Sequence, residues 1–149
     1  MAVRRVITTT RILKAVVRTA LPEDLPEVTR LLSTLGPDAS EQSIARFLRW
    51  GGQVVVATVL GEVAGVAALE WLHPLQSAHP EAWLTSLVTG AQFRHRGVAR
   101  ALLEECSRRA RSAGGDRLSV AAAAERDEVR AFLCAARFEP RLIVYQRMV

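Results

Sequence analysis

The residues best suited to chemistry crowd into one stretch, FRHRGVARALLEECSRRARSAGG, residues 93–115. Arg94, Arg96 and Arg100 surround a lone glycine, Gly97, and an amphipathic run follows at once. Glycine lets an anion reach the backbone because no side chain stands in the way. At the start of a helix the first amides have no internal acceptor, and the helix dipole adds partial positive charge. Together these features make a phosphate site. The spacing fits neither a Walker A loop nor the dinucleotide fingerprint, since Gly97 is the only glycine of the turn. The competing reading of the three arginines is a solvated basic face.

Other reactive groups are scattered. Glu70 and Glu81 are candidate bases acting through water; the competing reading is that of exposed carboxylates near strand ends. Tyr145 is the sole tyrosine, and Thr85 and Ser86 lie in an apolar run. Trp50, Trp71 and Trp83 read first as large apolar fillers. Cys106 and Cys134 lie within apolar helical patterns and read as buried thiols in a reducing, cytoplasmic compartment. His73, His79 and His95 have no metal-ligand spacing.

The elements that must position these groups follow from periodicity and punctuation. Residues 15–20 read as a strand. Leu21-Pro22 opens a helix whose first turns carry Glu23, Asp24 and Glu27, and Gly36-Pro37 ends it. Asp38 and Glu41 form a capping-box pattern for a second helix carrying Ile44, Phe47 and Leu48. Residues 53–60 and 63–72 read as a hairpin, and residues 82–89 as a fourth strand. After the arginine-glycine turn a helix runs to about Ala113, with Ala99, Leu102, Leu103, Cys106 and Ala110 on its buried stripe. Residues 117–123 read as a strand, 127–137 as a helix and 141–149 as a last strand. The glycine turn therefore sits inside a strand–turn–helix–strand unit, which argues against a free basic arm.

The 149 residues suffice for one domain, and a chain half hydrophobic and only 23% charged is globular rather than disordered. No apolar run is long enough for a membrane span. A net charge of +5 suits a phosphate-bearing ligand or nucleic acid. Nucleic acid is disfavoured because Glu104 and Glu105 interrupt the basic helix and no aromatic platform accompanies it. Residues 1–14 read as a basic tail and 15–149 as the domain.

The sequence RHRGVARALL resembles the acetyl-CoA motif of the GNAT acetyltransferase superfamily, with Arg94, Gly97 and Ala99 at the motif positions. VRAFLCAARFE resembles the second family signature through Phe132, Phe138 and Glu139. The resemblance covers about residues 15–149. It implies a mixed α/β domain: a central, mostly antiparallel sheet flanked by helices, with splayed fourth and fifth strands. It implies acetyl-CoA as cosubstrate and an amine acceptor, small molecule or protein. By resemblance the pyrophosphate rests on the backbones of His95, Arg96, Gly97, Val98 and Ala99, with Arg94 and Arg100 alongside. The pantetheine arm pairs with the backbones of Leu87, Val88 and Thr89. Tyr145, on a last strand that borders the cleft in this family, becomes the candidate proton donor, and Glu81 the candidate base. A homodimer through the C-terminal strands is in keeping with the fold.

Two departures from the family pattern weaken catalysis more than cofactor binding. The tyrosine expected after Phe132 is Leu133, and the strand glutamate nine residues before Arg94 is Thr85. An acyl-CoA-binding sensor without catalysis is the alternative reading.

Overall fold

A computed structural model of the chain describes residues 14–122 and 126–149. The basic tail expected over residues 1–14 lies outside the described residues except for Lys14. Five strands form one sheet in the order β1-β2-β3-β4-β5. They are β1 (Val16–Thr19), β2 (Gln53–Val59), β3 (Glu62–Leu72), β4 (Glu81–Thr89) and β5 (Leu118–Val120). The first four pair antiparallel, and β5 joins β4 in parallel. Four α-helices flank the sheet: α1 (Leu25–Ser33), α2 (Glu41–Arg49), α3 (Val98–Ser112) and α4 (Asp127–Ala135).

Alternating side chains on β2 and β3 divide the core in two. Val54, Val56 and Val66 pack with Val28, Leu31 and Ile44 of α1 and α2. Val55, Ala57, Ala67 and Leu69 pack with Val98, Leu102, Leu103 and Cys106 of α3, and Phe132 and Phe138 join this second cluster. Both faces of the central strands are thus buried, which explains their unbroken apolar runs.

Gly65 on β3 sets how closely α3 approaches. A Cβ there would lie 2.8 Å from Val98 Cγ1 and 3.0 Å from the Val88 carbonyl oxygen. Further along α3, the Arg109 guanidinium donates to Thr19 Oγ1 at 2.9 Å and to Gln53 Oε1 at 3.1 Å. It also pairs with Glu105. One arginine therefore ties the helix to β1 and β2.

Several expectations are corrected. Residues 141–149 form no strand; all of them are exposed. A strand needs a pairing edge as well as β-prone residues, and this segment pairs with none among the described residues. The second helix is capped by Ser40, not Asp38: Ser40 Oγ accepts from the Ser43 amide, and Ser43 Oγ accepts from the Ser40 amide. A cap must immediately precede the first helical turn, and Asp38 lies in the turn before it. The first helix begins with a 3₁₀ turn, Pro22–Asp24. Asp24 is buried there, accepting from the Leu21 amide at 2.7 Å and pairing with Arg18. The last helix ends at Ala135, and Cys134 is exposed, not buried.

Candidate active site

The arginine-glycine turn is built by backbone conformation. Phe93 is buried under the turn and closes a 3₁₀ turn on Gly90. Gly90 in turn donates to the Ala64 carbonyl at 2.8 Å. His95 (φ 62°) and Gly97 (φ 80°) are both left-handed, so the chain folds back sharply before α3 begins. Left-handed backbone costs a non-glycine residue about 1–2 kcal/mol, which accounts for a glycine at the cap of α3. Apart from Gly97 and its two chain neighbours, no atom of the described residues lies within 4 Å of where a Gly97 Cβ would stand. The space over the turn is open to a ligand.

Ala101 donates the first helical hydrogen bond of α3, to the Gly97 carbonyl. The amides of Val98, Ala99 and Arg100 precede it and have no acceptor within the helix. The first turn of α3 carries no acidic residue. Arg94, Arg96 and Arg100 are exposed, and none has an ion-pair partner among the described residues. Directed amides and uncommitted guanidiniums therefore meet at one exposed corner, an arrangement suited to phosphate oxygens.

That corner lies at the C-terminal end of β4. Along β4 the register with β3 slips: Ala68 faces Ser86 but Leu69 faces Leu84, which leaves Thr85 as a bulge. Thr85 Oγ1 donates to the Ala68 carbonyl at 3.3 Å. Pairing with β5 covers only Ala82, Trp83 and Leu84. Beyond the bulge, the outer edge of β4 through Leu87, Val88 and Thr89 has no strand beside it among the described residues. The Val88 side chain is buried and Leu87 packs against the α3 cluster, so what these residues present to the gap is backbone.

The carboxylates lie where the end of β3 pairs with the N-terminal half of β4. Glu70 lies directly opposite Trp83, and Glu81 precedes Trp83 by two residues, so the three project from one face. Val66 and Ala68 share that face of β3, which is the α1–α2 side. Ser119 Oγ donates to Glu81 Oε1 at 2.6 Å, fixing the half-buried carboxylate where β4 and β5 start side by side. Trp83 Nε1 is buried with no hydrogen-bond partner among the described residues. A cavity of about 340 Å³ adjoins this region, lined by Trp50, Glu70, Trp71, Leu72 and His73 among others. Trp50 is 80% exposed at its rim, where the composition had suggested a buried filler.

A larger groove of about 620 Å³ lies elsewhere, between the start of α1 and the β2–β3 hairpin. Its central carboxylate, Asp24, is held below the usual carboxylate range by the Arg18 hydrogen bond and is already satisfied. This groove contributes no free reactive group from that pair. The buried Cys106 thiol offers none either. Burial pushes the Cys106 thiol up to about 12, and Cys134 sits on the outer side of α4.

The structure thus gathers Arg94, His95, Arg96, Gly97, Val98, Ala99 and Arg100 at one end of β4 and Glu81 at the other. Tyr145 is not gathered with them; it is 88% exposed on the C-terminal segment. Leu133, at the expected tyrosine position, is a buried core residue. Sequence reasoning passed over the Thr85 bulge, the Ser119–Glu81 bond and the grouping of Trp83 with Glu70. Only strand register reveals these.

Comparison with known proteins points the same way. The pattern of the Acetyltransferase (GNAT) family matches residues 16–135. An acetyltransferase from Trypanosoma brucei superposes with a TM-score of 0.78 at 18% identity, covering 91% of this chain and 100% of that one. The aminoglycoside N-acetyltransferase AAC(6')-Iy, solved with CoA, gives 0.78 at 20% identity, covering 91% and 96%. Glucosamine-6-phosphate N-acetyltransferase from Arabidopsis thaliana gives 0.76 at 15%, covering 91% and 98%. A search of curated proteins finds no matching sequence.

Proposed function

This chain belongs to the acetyltransferase (GNAT) family, and from that premise we propose that it transfers acetyl from acetyl-CoA to an amine. The observation that carries the proposal is the open, left-handed Gly97 turn at the start of α3, beside a β4 edge released by the Thr85 bulge. The turn receives the pyrophosphate on the amides of residues 95–99, with Arg94 and Arg100 supplying charge. The arm then runs along the backbone of Thr89, Val88 and Leu87 as an added strand, with its thioester toward the bulge.

The reaction needs a neutral amine, stabilisation of the thioester oxygen and departure of a thiolate. An amine with an unperturbed pKa near 10.4 must lose a proton before attack. In this reading a β4 amide at the bulge donates to the developing oxyanion. Glu81 begins the strand, about 13 Å along it from Thr85 at the usual rise per residue. With the thioester at the bulge, Glu81 takes the proton through water or holds the cationic acceptor. Glu70 and the Trp83 and Trp50 rings on the same side suit a positively charged amine. Acetyl-CoA supply and free thiols suit the cytoplasm. The structural neighbours that act on aminoglycosides and on an amino sugar phosphate make those compounds the first acceptors to try.

Calorimetric titration with acetyl-CoA, followed by thiol release with an amine panel, tests the proposal. Micromolar binding with release supports it; no binding by folded protein overturns it. The second reading, a sensor that binds acyl-CoA without turnover, is favoured by Leu133 in the tyrosine position and by the exposed Tyr145. It expects binding with no thiol release from any amine.

A further inference from the structure

Two hydroxyls stand side by side on β4, and the fold uses only one of them. Thr85 Oγ1 donates to the Ala68 carbonyl and so braces the bulge. Ser86 Oγ has no hydrogen-bond partner among the described residues. The residue is half-buried, yet its oxygen is not sealed from solvent.

The bulge also decides which way that hydroxyl points. In a regular strand side chains alternate, so Ser86, three residues after Trp83, would project from the opposite face, beside Leu84 in the α3 cluster. The extra residue at Thr85 resets the alternation. Leu84 faces Leu69 on the α3 side, whereas Ser86 faces Ala68, which shares the α1–α2 side with Val66. Ser86 therefore lies on the same face as Glu70, Glu81 and Trp83. A half-buried hydroxyl with no bond to make inside the protein, turned out of the α3 cluster toward two carboxylates, is placed for a bound molecule rather than for the fold.

We propose that Ser86 is a catalytic residue whose hydroxyl carries a proton from the attacking amine to the departing sulfur. The assignment rests on the acetyltransferase reading, in which the pantetheine arm ends at the bulge and the amine arrives from the side of Glu70 and Glu81. Attack by the neutral amine forms the C–N bond and leaves a tetrahedral carbon bearing a protonated nitrogen. Nitrogen and sulfur are then bonded to one carbon, so a single hydroxyl spans them. Ser86 Oγ accepts the proton from nitrogen and gives its own to sulfur as the C–S bond breaks. The products are the amide and the CoA thiol, and the serine is restored. The proton that Glu81 takes through water is an earlier one, removed from the ammonium before attack. The relay fills the place left by Leu133, which is buried and has no proton to give, and by Tyr145, which is exposed on the C-terminal segment.

Three variants isolate the hydroxyl. Thiol release is measured at saturating acetyl-CoA, with the amine of the panel that the unaltered protein turns over fastest. Ser86→Ala is expected to lower kcat about 100-fold while acetyl-CoA affinity, measured by calorimetry, stays within about twofold. Ser86→Thr and Ser86→Val put side chains of one shape on the strand, with and without a hydroxyl. The threonine variant is expected to keep at least about a tenth of the rate, and the valine variant no more than the alanine one. Equal rates for the threonine and valine variants, or an undiminished rate for Ser86→Ala, overturn the relay and leave acetyl transfer standing. Unaltered protein that binds acetyl-CoA but releases thiol with no amine overturns acetyl transfer itself, and the relay with it.

Discussion

At the residue scale, Gly97 has two separable duties. It adopts a left-handed backbone, and it leaves open space above the turn. Gly97→Ala keeps most of that space and incurs the backbone strain, so it is expected to lower stability by about 1–2 kcal/mol with acetyl-CoA binding retained. Gly97→Glu adds a carboxylate where the proposed reading puts the phosphate, so calorimetry is expected to show binding lost in protein that still melts cooperatively. Equal affinity in both variants would remove the turn from the cofactor site. Glu81 is tested by Glu81→Gln, which keeps an oxygen for the Ser119 hydroxyl. Turnover is expected to fall about 100-fold or more with acetyl-CoA affinity unchanged. A pH–rate profile that loses its acidic limb separates a proton-accepting role from a structural one.

At the element scale, α3 carries the arginine-glycine turn at its start and is held to the sheet along its length. Near its start, Val98 rests against Gly65, where no side chain fits. Gly65→Val is expected to cost about 1–3 kcal/mol and to weaken acetyl-CoA binding as well, because displacing Val98 displaces the turn before it. Thermal melting and titration of the same variant measure both effects. Further along, Cys106 packs into the sheet, and burial holds its thiol at about 12. At pH 8 a maleimide is expected to label Cys134 quickly and Cys106 only on unfolding. Rapid labelling of both would mean that α3 lifts from the sheet in the native state.

At the scale of the whole molecule, acid stability depends on carboxylates held by arginines, within α3 and between β1 and the turn that opens α1. Hydrogen bonds from Arg108 and Arg109 lower the Glu105 carboxyl from 4.5 to about 2, and Arg18 likewise lowers that of Asp24. The native state therefore binds fewer protons at these groups than the unfolded chain does. The stabilisation from Glu105 is complete above about 4.5 and is lost as pH falls toward about 2; that from Asp24 is likewise lost as pH falls. Denaturant midpoints measured across that window are expected to fall with pH, and Glu105→Gln is expected to flatten the slope. An unchanged slope would mean that the arginine contacts are not maintained in solution.

Local chemistry made much of this protein legible in its sequence. A lone glycine before an apolar stripe reads as a helix start, and Gly97 does stand at the cap of α3, since backbone strain acts within a few residues. The β-branched run Val54–Val59 and its apolar return strand specify a buried hairpin for the same reason. What could not be read there depends on partners distant in the chain. Whether Thr85 bulges depends on the register with Ala68, and Glu81 meets Ser119 only because β5 lies parallel to β4. The segment 141–149 has the composition of a strand, yet within one copy it is none. Strand propensity is realised only against an edge, and which edge is available is decided by the tertiary structure.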